Sequence, residues 1–262
     1  MIVSQSAIAG LACAALISLL TPFVIAAVCR QRMVLPSRNI ALGAFVYLLF
    51  AMVLEGLMHW YFIKLNAVTA AWLGSHIWGF VAYAAGAAAL FEETGRLLAL
   101  RFLAKRTGDA GTAVAYGIGH GGFESIVVGA VAQAGGLFMA IMLNMGKLDT
   151  MFTHKIPSAT IAKLYAHLDF VTALLGGIER ISALLLQIAL SLLVWRAVTT
   201  GKARWFFAAL ALHAGVDSVA ALFQKGQISF FAVEGIVGAV GVALLVFFLA
   251  KLPRKISDVK HA

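Results

Sequence analysis

Three short segments of the chain carry the side chains of hydrolytic chemistry: Glu92, Glu93 and Arg96; His120 and Glu124; His213 and Asp217. On helices, Glu92 and Arg96 stand at i, i+4 and Glu93 and Arg96 at i, i+3, so the guanidinium can face either carboxylate. His120 shares a face with Glu124, and His213 with Asp217. A carboxylate four residues from a histidine can accept its second ring N–H and fix the tautomer. Together these groups suit water activation. A glutamate in a low-dielectric site can take a proton from water, Arg96 can keep one of the pair ionised, and the imidazoles can polarise a carbonyl and stabilise an oxyanion. The same imidazoles, with a carboxylate, are also ligand types for Zn²⁺. HxxxE and HxxxD are usable ligand spacings, though far less diagnostic than HExxH.

The elements that must position these groups follow from composition. Of 262 residues, 62% are hydrophobic and 12% charged, and the mean hydropathy is +0.96. Soluble domains carry about 25% charged residues, so the expectation is an all-α, polytopic membrane bundle rather than a secreted, soluble or disordered chain. The net charge of +9 does not point to nucleic acid, because the basic residues fall almost entirely between the apolar stretches. Cys13 and Cys29 lie sixteen residues apart on one expected helix, about 24 Å along its axis, and cannot pair within it.

A bilayer core needs roughly twenty apolar residues per helix. Seven segments qualify, at about 5–29, 40–63, 75–101, 112–134, 170–197, 204–223 and 228–250, in a single integral membrane domain. The N-terminus lacks the basic n-region of a secretory signal, so 5–29 is expected to be a retained span. The apolar run from 112 continues to Asn144, too long for one span. A break is expected at Gly135-Gly136, with 137–145 bent back or at the interface, and a short interfacial helix after Pro157. Thirteen basic residues (Arg30, Arg32, Arg38, Arg101, Lys105, Arg106, Arg196, Lys202, Arg204, Lys251, Arg254, Lys255, Lys260) fall in one set of connections. Five (Lys64, Lys147, Lys155, Lys163, Lys225) fall in the other. The bias puts the N-terminus out and the C-terminus in.

Ionisable residues inside spans are expensive and are functional candidates by default. Counted from the cytoplasmic ends at 1.5 Å per residue, Glu92, Glu93, His120 and His213 all fall roughly 12–15 Å deep, which brings two carboxylates and two imidazoles to one layer. Gln187 falls at the same depth and is expected to line it. The glycines of YGIGHGG around His120 permit close helix approach or leave carbonyls open to water or substrate. A second polar set (Glu55, His59, Glu179, Arg180, Glu234) lies nearer the outer boundary and is expected to form a salt-bridge network. Glu124 is expected as either a partner behind the site or a helix-pairing group. His76, His154, His167 and His261 are expected in solvated positions.

FEETGR at 91–96, YGIGHGGFES at 116–125, GGIER at 176–180 and LHAGVD at 212–217 resemble the YhfC family of intramembrane proteases. That family looks like a branch of the larger group containing the type II CAAX prenyl endopeptidases and bacteriocin-processing proteins. The resemblance spans about residues 40–250 in motif order. The group's pattern is a Glu pair followed by Arg, then FxxxH, then HxxxN or HxxxD. It implies Glu92 or Glu93 as activator of water, with His120, His213 and Asp217 completing the site, and GGIER (Glu179, Arg180) shaping a substrate cavity. Here Tyr116 replaces the Phe of FxxxH, and the pair reaches Arg96 in EExxR rather than EExxxR spacing. Aligning on the pair makes Glu92 the base, the assignment adopted. The family carries the label metalloprotease, whereas the prenyl endopeptidases resemble glutamate-dependent enzymes, so the cofactor expectation is none or Zn²⁺ held by His120 and His213.

The resulting expectation is an intramembrane endopeptidase of the bacterial plasma membrane. It would cleave a membrane-associated peptide or protein near the cytoplasmic leaflet, with no nucleic-acid partner. The rivals are a proton- or ion-coupled transporter, which predicts an internal repeat that EETGR lacks in residues 170–250, and an inactive membrane scaffold.

Overall fold

The computed structural model describes residues 2–105, 109–148 and 158–251. Arg106, His154, Lys155, Pro157, Arg254, Lys255, Lys260 and His261 lie outside the described residues. Among those described, every regular element is a helix: α1 Gln5–Arg30, α2 Ser37–Leu65, α3 Ala67–Ser75, α4 Ile77–Ala104, α5 Ala110–Asn144, α6 Ser158–Tyr165, α7 Phe170–Thr200, α8 Arg204–Gln224 and α9 Phe230–Lys251. Six are long and apolar enough to cross a membrane, or seven if α3 and α4, bent by 112° to each other, count as one span. A multi-pass helical membrane protein is the result. α7 buries 56% of its apolar window against 17–28% in the other five, which makes it the most enclosed span.

Local chemistry explains where the helices start, stop and bend. Asn66 caps α3, its Oδ1 accepting from the Val68 and Thr69 amides at 3.1 Å, as an N-cap side chain should. The far end of α3 leaves carbonyls without helical donors, and Lys225 of the α8 terminus supplies them, Nζ donating to Leu73 O at 2.8 Å and Gly74 O at 3.2 Å. In α1, Pro22 has no N–H to offer the carbonyl of Ser18. The Ser125 hydroxyl donates to that oxygen at 2.8 Å, which satisfies it inside an apolar environment.

The chain divides into two compact units, Met1–Pro22 with Glu124–Ile181, and Phe23–Phe123 with Ser182–Ala262. The first unit has a core of Val3, Ala7 and Leu11 with Ala140, Leu143, Ile161 and Ala173. Asn144 tethers its start, Oδ1 accepting from the Ile2 and Val3 amides at 2.9 Å and Nδ2 donating to Val3 O at 2.8 Å. The helix after the 158 position is present as α6 and packs Ile161 into this core. The second unit holds two apolar clusters, one around Leu100, Tyr116, Leu190 and Ala209, the other around Ala115, Ile118, Leu184 and Ile188.

One expectation about the helices fails. The helix does not break at Gly135-Gly136; α5 runs continuously to Asn144. The Tyr165 hydroxyl donates to the Gly136 carbonyl at 2.8 Å, so these glycines are held within the helix. The irregularity sits earlier, where Ser125–Val131 widens to π-helical geometry. α2 does the same over Leu48–Glu55 and Trp60–Leu65, on either side of His59. Such widened turns recur at functional sites.

Candidate functional site

The buried residues of α4 include Ala85, Ala89, Glu92, Glu93, Arg96, Ala99, Leu100 and Leu103. This i, i+3/i+4 progression places both carboxylates and the guanidinium on the face that packs inward, not toward lipid. Small residues on that face let neighbouring helices close in. Of those neighbours, α8 presents His213, flanked on its buried face by Ala209 and Ala221, and α5 presents His120. The approach of α2 to α5 is close enough to require glycine. A Cβ at Gly119 would fall on the Ile40 carbonyl oxygen, and one at Gly43 on the Tyr116 carbonyl oxygen. Of the two roles open to the glycines around His120, close helix approach is the one Gly119 serves.

The side chains so delivered meet. His120 Nε2 donates to Glu92 Oε2 at 2.8 Å, and His213 Nδ1 donates to Glu93 Oε1 at 2.8 Å. His213 Nε2 lies 3.8 Å from Glu92 Oε2 and 3.4 Å from Asp217 Oδ2. His213 is thus surrounded by three carboxylates, and one oxygen of Glu92 lies between two imidazoles from two different helices. Arg96 chooses Glu93, with Nε 3.2 Å from Oε2. Its remaining donors go to α7: Nη1 to Gln187 O at 2.7 Å and Ser191 Oγ at 2.9 Å, and Nη2 to Gln187 Oε1. The Gln187 amide Nε2 donates in turn to Glu92 Oε2 at 3.2 Å. Every member except Asp217 is nearly sealed: Glu93, Arg96 and His120 are 0% exposed, His213 and Gln187 3%, and Glu92 7%. The Asp217 side chain keeps 32% exposure.

The expected layer is therefore assembled: Glu92, Glu93, Arg96, His120, Gln187, His213 and Asp217 converge. Tyr116 also belongs to it, its hydroxyl 3.5 Å from His120 Nδ1. The His120–Glu124 pairing suggested by their spacing is not formed. Both ring nitrogens of His120 are engaged by Glu92 and Tyr116, and Glu124 instead forms an ion pair with Arg180 at 3.5 Å. Arg180 also bonds Glu179, so these three make a network within the first unit. Of the outer polar set, Glu55 and His59 form a triad with Tyr83 in the second unit, with His59 Nε2 3.0 Å from Glu55 Oε1 and Nδ1 2.8 Å from the Tyr83 hydroxyl, and Glu234 lies on α9.

Three contributors are absent from the sequence reading. Ser191, fully buried, accepts from Arg96; its i, i+4 relation to Gln187 was the available signal. Tyr47 sets its ring edge against His120 at 5.2 Å between centroids, and it shares a helical face with Gly43 four residues earlier. Tyr83 completes the outer triad, with no local signal beyond being a polar aromatic within a span.

The model of the family described as "YhfC intramembrane metalloprotease" matches residues 17–237. "Uncharacterized membrane protein YhfC" of Bacillus subtilis (strain 168) is 32% identical over 255 residues, covering 96% of this chain and 98% of that protein. No solved structure matches.

A metalloprotease needs donors that converge on a point an ion can occupy. By type, two imidazoles and a carboxylate are a zinc-binding set. By placement they are not: His120 Nε2 and Glu92 Oε2 stand in direct hydrogen-bond contact, and His213 Nδ1 is turned to Glu93. Among the described residues, no three His, Cys, Asp or Glu side chains are grouped so as to hold an ion. As placed, these residues do not fit a metal centre; they fit proton transfer among themselves.

Proposed function

The chain belongs to the YhfC intramembrane metalloprotease family, and we propose that it is an intramembrane endopeptidase in which Glu92 activates water. The observation that carries this reading is the position of Glu92 Oε2, 2.8 Å from one imidazole nitrogen and 3.8 Å from another. Glu92 rather than Glu93 is the base, because Glu93 is fully enclosed and already neutralised by Arg96 and His213. In the reaction, Glu92 takes a proton from water as the water oxygen attacks the peptide carbonyl carbon. To His120 and His213, whose ring nitrogens flank Glu92 Oε2, we assign stabilisation of the developing oxyanion once substrate takes up the N–H groups, a role such donors fill well in a dry site. The proton held on Glu92 passes to the leaving amine as the C–N bond breaks.

The other groups hold this arrangement in place. Arg96 ties Glu93 to α7, Gln187 links Arg96 to Glu92, and Asp217 with Glu93 orients His213. The basic connections support a site that opens to the cytoplasm of a bacterial plasma membrane, with the N-terminus out. The substrate class is a membrane-embedded, lipidated or leader-bearing peptide cut near the inner leaflet. The test is reconstitution of the wild type beside Glu92→Ala, His120→Ala and His213→Ala with candidate membrane peptides. Cleavage by the wild type and loss in all three supports the assignment; undiminished cleavage in all three removes it.

A further inference from the structure

Two turns from the catalytic layer, the same α4–α8 seam opens into a cavity of about 260 Å³ lined by Leu97, Arg101, Ala197, Val198, Gly201, Ala203, Phe206 and Phe207. Leu97 follows Glu93 by four residues and Arg101 by eight, about 12 Å along the axis, and Phe206 precedes His213 by seven, about 10 Å. Of the eight lining residues only Arg101 carries a polar side chain. Its guanidinium is exposed and makes no ion pair among the described residues. The adjoining sequence is basic: residues 97–105 and 194–208 contain Arg101, Lys105, Arg196, Lys202 and Arg204 and no Asp or Glu. Arg196 and Arg204 flank the Trp205 ring, 4.0 and 5.2 Å from its centroid, at the ends of spans where aromatic and basic side chains meet lipid headgroups.

We propose that this cavity is a binding site for an anionic phospholipid, with the phosphate at Arg101 and the upper acyl chain between Leu97, Val198, Phe206 and Phe207. The occupant is fixed by the chemistry of the walls. A peptide would need hydrogen-bond partners for its backbone, and the lining side chains supply none besides Arg101. A free anion would leave the apolar walls unused. An apolar chain bearing a single anionic group satisfies both, and basic pockets between spans take such headgroups. The site is distinct from the cleavage chemistry, and its test reads binding alone.

The purified protein is reconstituted in nanodiscs of equal phosphatidylcholine and phosphatidylglycerol, extracted, and its retained lipids are weighed by native mass spectrometry. The expected result is preferential retention of phosphatidylglycerol. Arg101→Gln should reduce that preference about fivefold, the effect of removing one cation near the headgroup, while Arg32→Gln at the end of α1 leaves it unchanged. Ala203→Trp, which fills the cavity without changing charge, should lower retention as well. Equal retention of the two lipids overturns the proposal. So does an equal loss in Arg101→Gln and Arg32→Gln, which would mark a diffuse charge effect. Retention unaffected by Ala203→Trp but competed away by inorganic phosphate would show an anion site with no chain pocket, and displacement by an acidic peptide but not by lipid would assign a different occupant.

Discussion

Replacing Arg96 by methionine keeps the volume of a long side chain and deletes the one permanent cation in the sealed layer. Three acceptors lose a donor, the carbonyl and side-chain oxygens of Gln187 and the Ser191 hydroxyl, and Glu93 loses its ion-pair partner. Breaking a buried ion pair by removing one partner costs about 3–5 kcal/mol, because the other charge stays buried. His213, 2.8 Å from the second Glu93 oxygen, offsets part of that charge, so the expected loss is at the lower end, about 3 kcal/mol. The assay is reversible denaturant unfolding in mixed micelles, followed by circular dichroism. The double variant Arg96→Met with Glu93→Gln removes both charges and should recover about half of the loss. A double-mutant cycle gives coupling energies directly, with couplings of about 0.5–3 kcal/mol expected for residues in one network. If Arg96→Met costs under about 1 kcal/mol, or the two substitutions add with no coupling, then Arg96 and Glu93 do not form the pair described and the account of the layer is wrong.

The remaining predictions concern packing, the proline of α1 and metal dependence. Gly119→Ala should destabilise by about 1–3 kcal/mol, as overpacking does, because its Cβ meets the Ile40 carbonyl. Gly135→Ala, where nothing lies within 4 Å, should be neutral or stabilising by up to about 1 kcal/mol; equal effects in unfolding assays would refute the close approach of α2 and α5. Ser125→Ala should cost about 1–3 kcal/mol by stranding the Ser18 carbonyl, and the cost should largely vanish in a Pro22→Ala background, where the new amide takes over; a background-independent cost would contradict the pairing. Cleavage should survive exhaustive chelation, since the imidazoles are hydrogen-bonded to carboxylates rather than grouped around a common point. One zinc per wild-type chain, lost in His120→Ala together with activity, would overturn that.

Helical periodicity and hydropathy made much of the fold legible. The spans, the inward face of α4 and the shared depth of Glu92, His120 and His213 all follow from helical geometry applied to apolar stretches. Gln187 was legible by depth alone. Spacing failed where two partners competed for one side chain. His120 has Glu124 one turn away on its own helix, yet Glu92 on α4 holds it, because the contact of α2 with α5 at Gly119 and Gly43 sets how α5 is turned. Sequence lists the neighbours a residue can have within its helix; the rotation that selects a partner across helices is fixed by packing. The same limit applies to Tyr47 and Tyr83, whose roles depend on which rings and imidazoles the neighbouring helix presents. At Gly135-Gly136 composition suggested a break, and a hydroxyl from a distant turn, Tyr165, meets the backbone there instead.

The central claim is that a carboxylate set between two imidazoles hands its substrate a hydroxyl drawn from water. Cleavage of a membrane peptide in ¹⁸O-labelled water by the wild type and Glu92→Gln tests it directly. Single-turnover product should carry one ¹⁸O in its new C-terminal carboxylate and none in Glu92, with the rate reduced about 10²–10⁴-fold in the variant, the usual contribution of a general base. Wild-type rates in Glu92→Gln, or label appearing in the Glu92 side chain, would contradict it.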